Sequence, residues 1–178
     1  MQFLRYLQFK GVSKITGIDH DIALKKFIHP NVRPNFRAVD IFVYLRDLSP
    51  EQKFDRIVLF DVLEHFDQHD GCKLLSQLTR ILAENGQIVV QVPNMASPWG
   101  AQHQFGDLTH KTAYTPNSIR QLALSSGLKC FSCYPQYRGS GSRIFLETIL
   151  HTLLSKILVD APEIWSGNFL AILQRTKV

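Results

Sequence analysis

Residues 54–66 read Phe-Asp-Arg-Ile-Val-Leu-Phe-Asp-Val-Leu-Glu-His-Phe. The run from Arg56 to Phe60 is short, apolar and rich in branched side chains, which marks a strand buried inside a sheet. Directly after it the chain turns polar, with Asp61, Glu64 and His65 close together. The next segment carries Leu74, Leu75, Leu78, Ile81 and Leu82, whose spacing lays one apolar stripe along a helix. Asn85-Gly86 closes that helix, and Gln87 to Val92 forms a second buried strand stopped by Pro93. The unit is strand, helix, strand. Open α/β sheets hold ligands beyond the carboxyl ends of their strands, so the polar groups after Phe60 stand where a ligand is expected.

The same alternation continues in both directions. Toward the N-terminus, Met1 to Lys10 looks like a helix end closed by Gly11, and Lys14 to Ile18 like a short strand. Asp21 caps a helix running to about Ile28, which His29-Pro30 stops. Phe36 to Val39 reads as another strand, and Ser49-Pro50-Glu51-Gln52 as a capping box that opens a helix. Toward the C-terminus, Asn94 to Tyr114 is a long irregular stretch, the kind of loop that often carries a substrate site. Thr115-Pro116 starts a helix that ends at Gly127, a strand reaches about Tyr134, a helix spans Arg143 to Val159, and Asn168 to Gln174 is a final strand. This order predicts one α/β domain, residues 1–178, with a mainly parallel sheet.

Composition narrows the class. Among 178 residues, 45% are hydrophobic and 20% charged, as in an ordinary globular protein with a real core. The net charge of +5 favours anionic partners, but the basic residues are scattered and no run of like charges appears, so no nucleic-acid partner is expected. The N-terminal ten residues lack the apolar core of a signal peptide, and Glu147, His151 and Lys156 interrupt the segment 143–159, so no transmembrane span is expected. Three cysteines without a disulfide framework suit a reducing, cytoplasmic setting. Cys130 and Cys133 spell C-x-x-C, yet no second pair follows, and on a regular strand residues three apart face opposite sides, which makes the motif incidental.

The segment from Phe54 to Phe66 resembles the fourth-strand region of class I S-adenosylmethionine-dependent methyltransferases, whose usual form is F-D-x-I-x-x-x-x-V-L-E-H. Lys14 to Asp19 resembles their second strand, which ends in an acidic residue. Leu75 to Asn94, with Leu-Ala-Glu-Asn-Gly and Val-Pro-Asn, looks like their following helix and fifth strand. Gly106-Asp107-Leu108-Thr109-His110 and Tyr114-Thr115 are similar to methyltransferases of polysaccharide and glycan biosynthesis. The resemblance implies a Rossmann-like sheet, mainly parallel with an antiparallel C-terminal strand, and S-adenosylmethionine as cofactor. It also implies a first strand and a Gly-x-Gly-x-Gly loop, which this sequence does not contain. The expectation is therefore a chain truncated before its glycine-rich motif.

The family likeness assigns candidate residues. Asp19 would accept bonds from the ribose hydroxyls, as carboxylates do in dinucleotide sites, although a helix cap is its bland alternative. Asp40 and Ile41 would meet the adenine. Phe60, Asp61 and Val62 would border the cofactor's sugar and methionine, on the same sheet rim as Asp19. His65 would face the active site. His110 is the candidate base for a hydroxyl acceptor, oriented by Asp107, since neutral imidazole accepts protons near physiological pH. Local side-chain bonds within the loop are the alternative for both. Trp99, His103 and Phe105 could wall an acceptor pocket. His65 and His69 are spaced for metal ligation, but Phe66 stands where the zinc-protease pattern needs Glu, so no metal is expected. The segment 143–159 suits core packing, with a homodimer or membrane contact as the other uses of its apolar residues.

Two functions compete at this point. One is methyl transfer to a small-molecule or glycan-linked acceptor, most simply O-methylation. The other is a catalytically inactive truncated remnant that serves as a binding module. A nucleic-acid methyltransferase would need a clustered basic groove, which the sequence does not show.

Overall fold

The structure is a computed structural model that describes residues 2–176. The chain divides into two compact units, Met1–Pro50 and Glu51–Val178.

In the first unit, α1 (Gln2–Phe9) buries Leu4 and ends at Gly11, whose φ of 79° only glycine adopts freely. β1 (Gly17–Asp19) pairs in parallel with β2 (Phe36–Ala38), with Asp19 opposite Ala38. A Cβ at Gly17 would lie 2.7 Å from Leu4 Cδ1, so glycine is what lets the strand approach that side chain. The segment after Asp21 is a 3₁₀ helix, Ile22–Phe27, rather than an α-helix, and a second one, Pro30–Asn35, follows it. Pro30 prevents the first from lengthening, and short pieces are what 3₁₀ geometry supports. Leu4, Ile28, Val32 and Phe36 form the unit's core, with Ile15 and Leu24 packed against it.

α2 (Ile41–Asp47) forms although Ile-Phe-Val-Tyr-Leu is strand-like in propensity. Asp40 decides the outcome: its Oδ1 accepts the N–H groups of Phe42 (2.8 Å) and Val43 (3.1 Å), a helix cap. The box at Ser49 opens no helix; the chain turns at Pro50-Glu51, and Phe54 is already paired in the next sheet.

The second unit holds a four-stranded sheet in the order β3-β4-β6-β5, made of β3 (Phe54–Phe60), β4 (Leu82–Pro93), β5 (Leu128–Pro135) and β6 (Asn168–Arg175). β3 and β4 are parallel, with Ile57 opposite Ile88 and Phe60 opposite Gln91. β6 runs antiparallel between β4 and β5, placing Asn168 opposite Pro93 and Phe169 opposite Pro135. The ends of β3, β4 and β5 and the start of β6 therefore share one rim. Ile88, Val90, Val92, Phe169, Ala171 and Leu173 are fully buried, as are Leu74 and Leu75 of α3 (Gln68–Ile81) and Ile119 of α5 (Pro116–Ser125). Thr115 caps α5 in a reciprocal box with Ser118, and Gly127 follows it at φ 73°, as the sequence indicates.

Two details correct the sequence reading. α3 stops at Ile81, and Leu82 already pairs with Phe54, so Ala83 to Gly86 bulge out within β4 before Gln87 resumes opposite Arg56. The carbonyls at this helix end find cations: Lys53 Nζ donates to Arg80 O (2.8 Å), and Arg175 Nη2 donates to Thr79 O (2.6 Å) and Leu82 O (2.7 Å). In β5 the register shifts between Cys130, opposite Leu173, and Ser132, opposite Ile172, leaving Phe131 as the extra residue of a bulge. The bulge resets the alternation of faces, so Cys130 and Cys133 do not point apart: their sulfurs lie 3.6 Å from one another.

α6 (Gly141–Ile157) buries none of its residues, and Phe145, Leu146, Ile149 and Leu153 are exposed. No helix among the described residues is long and apolar enough to cross a membrane.

Candidate functional site

The rim of the second unit's sheet carries an unusual residue at the end of β3, an outer strand of the four. Asp61, the first residue after β3, has φ 53°, a left-handed conformation that Asp tolerates better than most side chains. Its N–H bonds Gln91 O (3.2 Å), and its Oδ1 accepts from Gln91 Nε2 (2.9 Å). Gln136 Nε2 in turn donates to Gln91 Oε1, so one polar chain runs from the end of β3 across β4 to the residue after β5. Strained backbone of this kind clusters at ligand sites. Phe60 is 39% exposed beside it, and Val62 is half-buried.

The next turn, a 3₁₀ helix at Leu63–His65, sets two groups in contrasting surroundings. Glu64 is fully buried, and neither carboxylate oxygen has a hydrogen-bond partner among the described residues. Burial pushes its carboxyl up to about 7. His65 is half-buried, and its Nδ1 meets Thr109 Oγ1 at 2.9 Å. The Thr109 hydroxyl donates to Asp107 Oδ1 (2.6 Å), so the imidazole must be the donor in the first bond. Nε2 of His65 is left as the acceptor. Bonds from Thr109 hold the exposed Asp107 carboxyl below its ordinary range.

His110 reaches the same place from the loop. Its Nδ1 donates to Gln104 O (2.9 Å), which again leaves Nε2 as the acceptor. The two imidazoles meet edge to face, with centroids 4.7 Å apart. Asp107 therefore orients His65 through Thr109; its own link to His110 is a backbone bond, His110 N to Asp107 O at 3.3 Å. Glu64, His65 and His110 offer ligand atoms within 4.8 Å of one another, a set chemically able to hold a divalent cation. His69, the partner suggested by spacing, lies exposed on α3 and is not part of this set.

The loop bearing His110 is pinned rather than free. Asn94 is buried and its Nδ2 donates to Ile164 O (2.8 Å) and Ser166 O (3.1 Å), while Ser97 Oγ donates to Trp165 O (2.5 Å). A Cβ at Gly100 would fall 1.9 Å from Asn94 O, so glycine alone permits this turn into the short helix α4 (Ala101–Gln104). Next to the loop opens a cavity of about 690 Å³. Trp99 and His103 line it, and Phe105 does not. Residues from beyond the loop complete the wall: His151 stacks on Trp165 at 4.9 Å and accepts from Trp99 Nε1 at 3.2 Å. Gln136 and Asn168 also line the cavity, and Gln136 Oε1 and Asn168 Oδ1 are buried acceptors without partners among the described residues.

The remaining candidates lie in the first unit. Asp19 ends β1, where its Oδ1 accepts the Asp21 N–H (2.9 Å). Asp40 caps α2, and Ile41 is that helix's first residue. Sequence reasoning did not single out Gln91, Thr109, Gln136, His151 or Trp165. Gln91 left a trace, as a polar residue inside the apolar run 88–92, and Thr109 stands in the Asp-Leu-Thr-His stretch beside two candidates; Gln136, His151 and Trp165 are brought in by packing.

Comparison with known proteins places this geometry. The sequence profile of a methyltransferase-domain family matches residues 2–132. No curated protein matches the chain. Among solved structures, a methyltransferase from Archaeoglobus fulgidus, described as dependent on S-adenosylmethionine, is similar with a TM-score of 0.71 at 19% identity, over 98% of this chain and 81% of that one. An O-methyltransferase of neocarzinostatin biosynthesis, solved with S-adenosylmethionine and a hydroxylated naphthoic acid, matches with a TM-score of 0.64 at 14% identity, over 98% of this chain and 45% of its own. A calicheamicin-biosynthesis methyltransferase matches with a TM-score of 0.59 at 17% identity, over 98% and 45%. The chain thus spans less than half of the latter two proteins.

Proposed function

Because the chain belongs to the methyltransferase-domain family, we propose that it transfers a methyl group from S-adenosylmethionine to a hydroxyl of a small-molecule or glycan-linked acceptor. The match takes in the first unit and continues into the second as far as residue 132, which supports one methyltransferase domain.

The donor set suits such a cofactor. S-adenosylmethionine carries a ribose diol, an ammonium and a sulfonium, and the candidate residues offer carboxylates to them. Asp19 uses Oδ1 for the Asp21 N–H and keeps Oδ2 for the ribose; Asp61 uses Oδ1 for Gln91 and keeps Oδ2 for a cationic group. Asp40 and Ile41 would meet the adenine, and Phe60 and Val62 would line the sugar and methionine. When bound, the cofactor supplies an electrophilic methyl group. The protein's part is to align the acceptor and take its proton.

The observation that carries the reading is the pair His65 and His110. Each commits its Nδ1–H elsewhere, and each is left with Nε2 as a proton acceptor. His110 is the base we assign to the acceptor hydroxyl, and Asp107 with Thr109 steadies His65 beside it. The neighbouring cavity supports a hydroxylated acceptor, since its aromatic wall suits stacking and polar side chains, Gln136 and Asn168 among them, share its lining.

The test uses S-adenosylmethionine with a labelled methyl group and a panel of hydroxylated aromatics and sugars. Labelled ether, formed with S-adenosylhomocysteine and reduced about 100-fold or more in His110→Ala, supports the assignment. Cofactor binding with no transfer to any hydroxyl favours the binding-module alternative, and no binding at all removes the reading.

A further inference from the structure

We propose that Cys130 and Cys133 form a reversible dithiol–disulfide pair at the outer edge of the sheet, oxidised by low-molecular-weight disulfides such as oxidised glutathione. The basis is the bulge in β5. A regular strand would turn these side chains to opposite faces, but the extra residue Phe131 brings both onto one, with the sulfurs 3.6 Å apart. A modest rotation closes that gap to bonding distance. β5 is an edge strand of its sheet, and both cysteines are half-exposed, so a small reagent can reach them.

The surroundings favour reaction at one sulfur. Arg120, on α5 above β5, is held by Glu163 through Nη1 to Oε2 at 2.8 Å, and its fixed positive charge acts on both sulfurs. The thiol of Cys133 hydrogen-bonds Cys130, and with the Arg120 charge this draws the Cys130 thiol below its ordinary range, while Cys133 is raised by the same bond. Cys130 is therefore the attacking thiolate. It bonds to one sulfur of the reagent and expels the other as a thiolate. Cys133 then loses its proton to solvent, bonds to Cys130 Sγ, and releases the second glutathione thiolate. Two protein thiols are oxidised and one disulfide is reduced to two thiols. Cys72 has no such partner among the described residues; its sulfur meets Ser125 O (3.7 Å) and Ser126 Oγ (3.5 Å).

The experiment treats the folded protein with oxidised glutathione, alkylates the remaining thiols, and maps residues 130–138, the tryptic peptide that carries both sulfurs. The expected product is that peptide lighter by two hydrogens, restored by reductant, with Cys72 alkylated. Cys133→Ser should instead accumulate a glutathione adduct on Cys130. Arg120→Gln should slow alkylation of Cys130 roughly threefold or more at neutral pH while leaving Cys72 unchanged. Separate glutathione adducts on both cysteines of the unaltered chain, disulfide-linked dimers, or full alkylation of all three thiols would each overturn the proposal.

Discussion

Gln91 donates from Nε2 to the Asp61 carboxylate at 2.9 Å, tying the residue after β3 to a side chain on β4. The bond spans the parallel pair at the rim and holds a left-handed backbone in place. Asp61→Ala loses both the acceptor and the local bonding that makes the conformation tolerable. Denaturant melts should show a loss of about 1–3 kcal/mol. Asp61→Asn keeps an acceptor for Gln91 and tolerates the same φ, so its stability should change by no more than about 0.5 kcal/mol. If Asp61 also meets a cationic cofactor group, calorimetry should show weaker S-adenosylmethionine binding in both variants, in the asparagine variant with stability intact.

Glu64 makes stability depend on pH. In the folded chain its carboxyl keeps the proton up to about 7, against an ordinary value of 4.5. Between those values the folded state binds more protons than the unfolded one, so stability falls as pH rises through the window. The full span corresponds to roughly 3 kcal/mol. Glu64→Gln should remove this slope and be more stable than the parent near pH 8. Melts across the window check it; parallel curves for the two proteins would exclude an ionising buried Glu64.

Thr109 is exposed, so replacing its hydroxyl tests the relay without disturbing the core. Thr109→Val should lower methyl transfer about tenfold and shift its pH profile, because His65 loses the acceptor for its Nδ1–H. Thr109→Ser should restore both. A valine variant with the parent profile would show that the Asp107–Thr109–His65 chain only shapes the loop.

The sheet was legible because its strands are short apolar runs with clear stops, and Thr115-Pro116 and Gly127 mark α5 with residues whose roles are local. The misread places share one cause: pairing partners outranked local signals. Leu82 looked helical but pairs with Phe54, and the Ser49 box opens nothing because the chain goes straight into β3. At Cys130 the alternation rule failed because a bulge is set by the register with β6, which sequence does not display. At the candidate site, motif and chemistry pointed to His65, Asp107 and His110, which the structure brings close together, while the bond from Thr109 to His65 and the aromatic wall around His151 depend on which segments meet.

β6 lies between β4 and β5 yet follows both along the chain. During synthesis β4 and β5 emerge first, with the place between them empty, and two hydrogen-bonding edges wait for residues 168–175. Closing the sheet thus brings in a strand about 80 residues away in sequence from the β4 residues it joins, a long-range step of the kind that makes folding slow. The nascent chain meanwhile carries open edges that invite pairing with other strands, so this region passes through its most aggregation-prone moment just before it becomes complete.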